Sequence, residues 1–219
     1  TLSSSSAASD VYKRQPVFVD TEKFMHIPER RRELRRKYRV SEHAVVGLIG
    51  PFDIKWNEHS LDFLYAKLEA FSPNIRFMVI GKCPCRIKDD RVVYTGYVAD
   101  FIGHLSSLDM VLIPRRISTS GPLNKILAPM SCSLAVLATP QAVVGLDYVT
   151  NRSDILVTEE DDLVDMTNRL VFDEQLLSKL GKNARETVEK IYSIAVFRKK
   201  LIESVHSILG NKGLESGHV

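Results

Sequence analysis

The chain has 219 residues, enough for one domain of generous size or one domain with tails. Apolar residues make up 44% and charged residues 26%, which excludes a disordered chain, and no apolar run approaches the roughly 18–20 residues that a membrane-spanning helix needs. The formal charge of +3 is too small to imply nucleic acid as a partner.

Residues 1–15 stand apart from everything after them. Ser5 to Gln15, back-translated, are compatible codon for codon with adapter DNA used in transposase-based sequencing libraries. They read as an assembly scar, so fold reasoning starts at Pro16 and the natural reading frame is expected to continue upstream of it. Glu29 to Lys37 is a basic stretch with few apolar residues. It reads either as a solvated helix laced by carboxylate–arginine pairs or as a phosphate-tracking patch.

Then short apolar runs alternate with helical patterns. Strands are expected at Ala44–Ile49, Ile75–Ile80, Arg91–Thr95, Met110–Ile113, Leu134–Thr139 and Ile155–Val157, rich in Val and Ile and closed by glycine or proline. Unbroken hydrophobicity means that both faces are covered, the mark of a parallel sheet. Helices are expected at Ser60–Ala70, capped by Ser60, at Asp100–Leu108, at Leu123–Ser131, and in series at Glu160–Phe172, Glu174–Ile191 and Ala195–Leu209. Residues 210–219 read as a frayed tail. Crossovers of this length give a doubly wound α/β sheet, a Rossmann-like single domain over residues 16–209. Such a sheet binds ligand beyond the carboxyl ends of its strands, so the loops after each strand matter most.

Among those loops, Pro114 to Pro122 has the strongest physical signal. Arg115, Arg116, Ser118, Thr119, Ser120 and Gly121 precede a helix start, where free N–H groups and the positive end of the helix dipole favour an anion. The plainer alternative is that Ser120 caps the helix and the arginines are solvated. No Walker lysine motif and no G-x-G-x-x-G occurs. Cys83, Cys85 and Cys132 are an odd set without zinc spacing, and the six histidines are scattered, so no metal is expected and the default compartment is cytoplasmic. His104 reads as a boundary residue rather than a base, and no general acid or base is assigned.

The order of landmarks resembles the C-terminal domain of a GT-B glycosyltransferase of the large retaining family that includes sucrose and glycogen synthases. The resembling segments are Val19–Phe24, Val45–Gly50 with Lys55, Phe77–Gly81, Val93–Val98, Asn124–Ser131, Val143 with Gly145–Leu146, and Leu180–Arg185 with Tyr192–Ser193. The resemblance implies a nucleotide-diphosphate sugar as donor substrate, with no cofactor and no metal, and an acceptor delivered by a missing N-terminal domain. This chain would then be a fragment without catalytic residues of its own. Gly50 and Lys55 would approach the diphosphate and Tyr97 would border the base. Thr119, Ser120 and Gly121 would meet the phosphates, with Asn124 and Lys125 at the helix start. The acceptor, a lipid or glycan, leaves peripheral association with the inner face of a membrane open. Two departures weaken the match. The family's paired glutamates fall at Ser120 and Ala128, and the arginine after its first glycine falls at Pro51. A carboxylate–hydroxyl bond to the ribose is worth about 1.5–3 kcal/mol, so its loss would weaken donor binding roughly ten- to hundredfold.

Overall fold

The structure is a computed structural model that describes residues 17–84, 86–117 and 124–212. The expectations for residues 1–15, for Thr119, Ser120 and Gly121, for Cys85 and for the tail beyond Lys212 lie outside the described residues.

Six strands, β1 (Ala44–Ile49), β2 (Ile75–Ile80), β3 (Val92–Gly96), β4 (Met110–Ile113), β5 (Ala135–Ala138) and β6 (Leu156–Val157), form one sheet in the order β3-β2-β1-β4-β5-β6. Every neighbouring pair is parallel. The strands alternate their faces residue by residue. Val45 and Ile49 join one buried cluster, while Val46 and Leu48 join the other. Both faces must therefore be apolar, which is why the strands read as unbroken runs. Each fully buried Val, Ile or Leu contributes about 1.5–3 kcal/mol.

Helices cover the sheet on both sides. On the Val45 face lie α3 (Phe101–Ser106), α4 (Asn124–Ser131) and the π turn Val188–Tyr192. On the Val46 face lie α2 (Lys55–Lys67) and α5 (Leu163–Leu170). Helix α6 (Glu174–Thr187) serves both, giving Ala184 to the first cluster and Leu180 to the second. Asp100 caps α3 by accepting from the Gly103 N–H at 3.0 Å, as its position before the apolar run demands. His104, buried in α3, bonds Asp100 O through Nδ1 and Tyr38 Oη through Nε2, a packing role.

Three expectations are corrected. Helix α2 begins at Lys55 after an uncapped Ile54, not at Ser60, whose hydroxyl instead donates to Pro114 O at 3.0 Å. Tertiary bonds made by Asn57 hold that first turn in place of a cap. Helix α7 (Ile194–Lys212) ends three residues beyond the expected Leu209, past Gly210. A glycine near a helix end costs about 1 kcal/mol, which is not enough to stop it.

The third correction concerns the basic stretch, which forms α1 (Pro28–Lys37) and is not simply solvated. Arg31 and Arg35 both bind Asp109, and Arg30 binds Asp100. Burial raises the Asp109 carboxyl's pKa, but Arg35, the Val45 N–H and Arg31 outweigh burial and hold it below its usual range. Its arginines are anchors at the amino-terminal edge of β1 and β4. Arg36 and Lys37 remain on the exposed side.

Candidate functional site

The strand order reverses beside β1, and the carboxyl ends of β1 and β4 form the crevice that this topology reserves for ligands. Two glycine turns shape its floor. Gly81 adopts φ +122°, and a Cβ there would sit 3.2 Å from Gly50 Cα, so the turns after β1 and β2 touch backbone to backbone. Gly96 at φ +68° turns the chain after β3 and leaves Tyr97 89% exposed. Between them opens a cleft of about 650 Å³, bordered by Gly50, Pro51, Gly81, Tyr97 and Val98, with the Asp53–Lys82 ion pair (2.7 Å) among its polar groups.

The loop after β4 divides its two arginines between inside and outside. Arg116 faces outward and makes three bonds to the Glu160 carboxylate, the shortest 2.7 Å, while Glu160 also meets His59 Nε2 at 2.8 Å. Arg116 is thus already paired, on an exposed rim where such a pair contributes little. Arg115 turns inward and is 4% exposed. Its N–H donates to Thr139 Oγ1 (2.9 Å), and the Thr139 hydroxyl donates back to Arg115 O (2.6 Å), locking the ends of β4 and β5 together. Arg115 Nε donates to Ile117 O, but Nη2 is buried without a partner among the described residues. Burial pushes the guanidinium's pKa down.

Lys125, in the first turn of α4, also points inward. Its Nζ donates to Ile49 O at 3.1 Å and to Asn57 Oδ1 at 2.7 Å. An ammonium has three N–H donors, so one remains unmatched by these partners. Burial, reinforced by the nearby Arg115 charge, lowers the Lys125 pKa to about 8. Neither cation has a carboxylate partner among the described residues. Arg115, buried, and Lys125, partly buried, thus bring two positive charges together with donors to spare and no carboxylate partner among the described residues.

The other expected residues are placed as follows. Gly50 closes β1, with its N–H on Ile80 O at 2.8 Å, and Lys55 opens α2, its side chain lying outside what is described. Asn124 starts α4 with its side chain exposed. Ala128 is 7% exposed within the core, so that turn offers no carboxylate to a ligand. Arg116 and Ile117 are exposed, so the loop leaves from an open rim on the same edge as the glycine turns.

Sequence reasoning missed two residues here. Asn57, 7% exposed, donates its amide to Pro51 O at 2.6 Å while accepting from Lys125, and Thr139 makes the β4–β5 lock. Both stood in strand-end loops already marked as important, but a polar side chain gives no sign of its partner. Among the described residues no group of three or more His, Cys, Asp or Glu could hold a metal, and no helix is long and apolar enough to cross a membrane.

Comparison with known proteins places this chain in a family. Residues 43–173, more than half of the chain, match the family described as glycosyl transferases group 1. No curated protein matches the sequence. The structure is similar to HepE from Anabaena in complex with UDP and glucose, with a TM-score of 0.74 at 18% identity, covering 87% of this chain and 55% of that one. It is also similar to sucrose-phosphate synthase from Thermosynechococcus elongatus, with a TM-score of 0.73 at 18% identity, covering 90% of this chain and 52% of that one. The C-terminal domain of a glycosyl transferase group 1 protein from Francisella tularensis gives a TM-score of 0.64 at 19% identity, with 80% of this chain and 99% of that one covered. At these identities the likeness shows a shared fold, that of the C-terminal half of a GT-B protein. The chain spans about half the length of the HepE and sucrose-phosphate synthase structures.

Proposed function

The chain belongs to the glycosyl transferases group 1 family, and we propose that it forms the donor side of a retaining glycosyltransferase, binding the diphosphate of a nucleotide sugar over Arg115 and Lys125. The observation that carries the reading is the pair of inward-facing cations with spare N–H donors and, among the described residues, no carboxylate between them. A buried charge without a counter-ion is costly to maintain, and a ligand oxyanion would offset that cost. HepE, of similar fold, binds UDP, and its complex supports a nucleoside diphosphate as the anion.

In this reading the base lies in the cleft beside Tyr97, and the phosphates meet Thr119, Ser120 and Gly121, which precede α4 in the sequence. As the glycosidic bond breaks, the leaving diphosphate gains negative charge. Arg115 and Lys125 stabilise that charge through protein groups already in position. Lys55 and Asn124 border the same ligand. The acceptor comes from a facing domain outside these 219 residues, so donor binding without turnover is expected of this chain alone. The setting is cytoplasmic, and a lipid or glycan acceptor would bring the protein to the inner face of a membrane.

Buried Ala128, where the family pattern has a ribose-binding carboxylate, favours a second reading: a Rossmann-like interaction module that no longer binds donor. Saturation-transfer NMR with UDP and GDP separates the two. Signals from either ligand, lost in Lys125→Met, are expected; silence from both sinks the donor reading.

A further inference from the structure

Asn57 has so far been described only by its bonds, yet it joins both parts of the crevice. Its Nδ2 donates to Pro51 O at 2.6 Å in the first glycine turn, and its Oδ1 accepts from Lys125 Nζ at 2.7 Å. Chemistry fixes which end faces which group: only the oxygen can face an ammonium, and only the NH₂ can face a carbonyl. Burial at 7% exposure leaves little water to replace either bond.

The choice of an amide has a consequence for charge. An aspartate would hold the ammonium more strongly, but it would cancel the positive charge and turn a second anionic oxygen towards Pro51 O. An alanine would preserve the charge but leave Lys125 with Ile49 O as its sole partner of the present two. Asparagine alone among these both aims the cation and leaves its charge unspent. Arg115 is the one described charge acting on Lys125, and it repels rather than neutralises.

We propose that Asn57 is a positioning residue of the anion site, a neutral tether that aims the Lys125 ammonium and pins the Gly50–Pro51 turn while leaving the positive charge free for a diphosphate. The proposal rests on the donor reading for the identity of the ligand, but its electrostatic content can be read without a nucleotide. It also gives the site a selection rule: the tether favours a multiply charged anion over a neutral sugar, because the ammonium enters binding uncompensated.

The test uses the full chain, with inorganic pyrophosphate as the probe and two variants, Asn57→Asp and Asn57→Ala, each checked for native circular dichroism. Affinity is measured by calorimetry across pH 6.5–10, and the Lys125 side chain is followed by NMR in the same range. In the parent, pyrophosphate binding weakens about tenfold per pH unit above a break near 8, where Lys125 loses its proton. In Asn57→Asp the Lys125 titration moves up by two units or more, and affinity at pH 7 falls at least tenfold although the lysine is charged. In Asn57→Ala the break stays at or below its parent position and affinity falls at least fivefold. An Asn57 that only supported the fold would leave pyrophosphate affinity parent-like in both variants, wherever the Lys125 titration falls. Parent-like pyrophosphate affinity in both variants, an unmoved Lys125 titration in Asn57→Asp, or a parent that does not bind pyrophosphate overturns the proposal. Pyrophosphate binding without UDP or GDP binding overturns the donor reading and leaves the tether standing.

Discussion

Replacing Lys125 with methionine tests whether the anion site is maintained at the expense of stability. The folded protein holds Lys125 at a pKa of about 8, against 10.5 for an unperturbed lysine. At about 1.36 kcal/mol per unit, the gap corresponds to about 3 kcal/mol. Between pH 8 and 10.5 the unfolded chain keeps a proton that the folded chain has released, so stability rises with pH across that window. Below pH 8 the penalty is present in full. Methionine removes it, but leaves Ile49 O and Asn57 Oδ1 without this donor, at about 1–3 kcal/mol each. The net change at pH 7 then lies between a gain of about 1 and a loss of about 3 kcal/mol, so the pH slope is the discriminating quantity. Urea unfolding at several pH values between 7 and 10.5 should show the parent gaining about 3 kcal/mol relative to Lys125→Met. Cys132, its thiol pushed up by burial to about 12, contributes an opposite slope above its unfolded pKa, but it is common to both proteins and cancels in the difference. A parent–variant difference that stays flat across the window would refute the uncompensated buried ammonium.

Three further outcomes are expected. Asp109→Asn leaves the largely buried Arg35 without its counter-ion and should cost about 3 kcal/mol by denaturant unfolding. Because the folded Asp109 pKa is depressed, its contribution is present above the unfolded value of 3.8 and is lost as pH falls through the folded value, so the variant's acid limb should be flatter. Gly181→Ala should destabilise by about 1–3 kcal/mol despite alanine's better helix propensity, because the added Cβ would lie 2.0 Å from Ser133 O; a raised melting temperature would contradict that approach. Cys132, buried with a raised pKa, should resist thiol labelling at pH 8 in the folded chain and react once it is unfolded, as peptide mass spectrometry would show.

The parallel sheet was legible because burial on two faces writes itself into consecutive residues: Ala44–Ile49, Ile75–Ile80 and Met110–Ile113 were expected at the boundaries observed. Loops at the carboxyl ends were marked as candidates for ligand binding for a topological reason, before any contact was known. Local signals failed where tertiary bonds outweighed them. Ser60 has the chemistry of a helix cap, yet α2 starts earlier because Asn57 reaches Pro51 O and Lys125. The arginines of α1 resemble a solvated face, yet Asp109, 74 residues from Arg35, draws them in.

Hydrophobic period and glycine punctuation are properties of neighbouring residues, so the sequence alone determined the fold class, while the ordered segments from Val19 to Ser193 carried the resemblance to the family. Only the tertiary structure decided that Arg115 turns inward while Arg116 pairs with Glu160, and that Lys125 meets Ile49 O and Asn57 from 76 and 68 positions away. Charge compensation depends on distance in space and on exclusion of water, and neither is written in the order of residues.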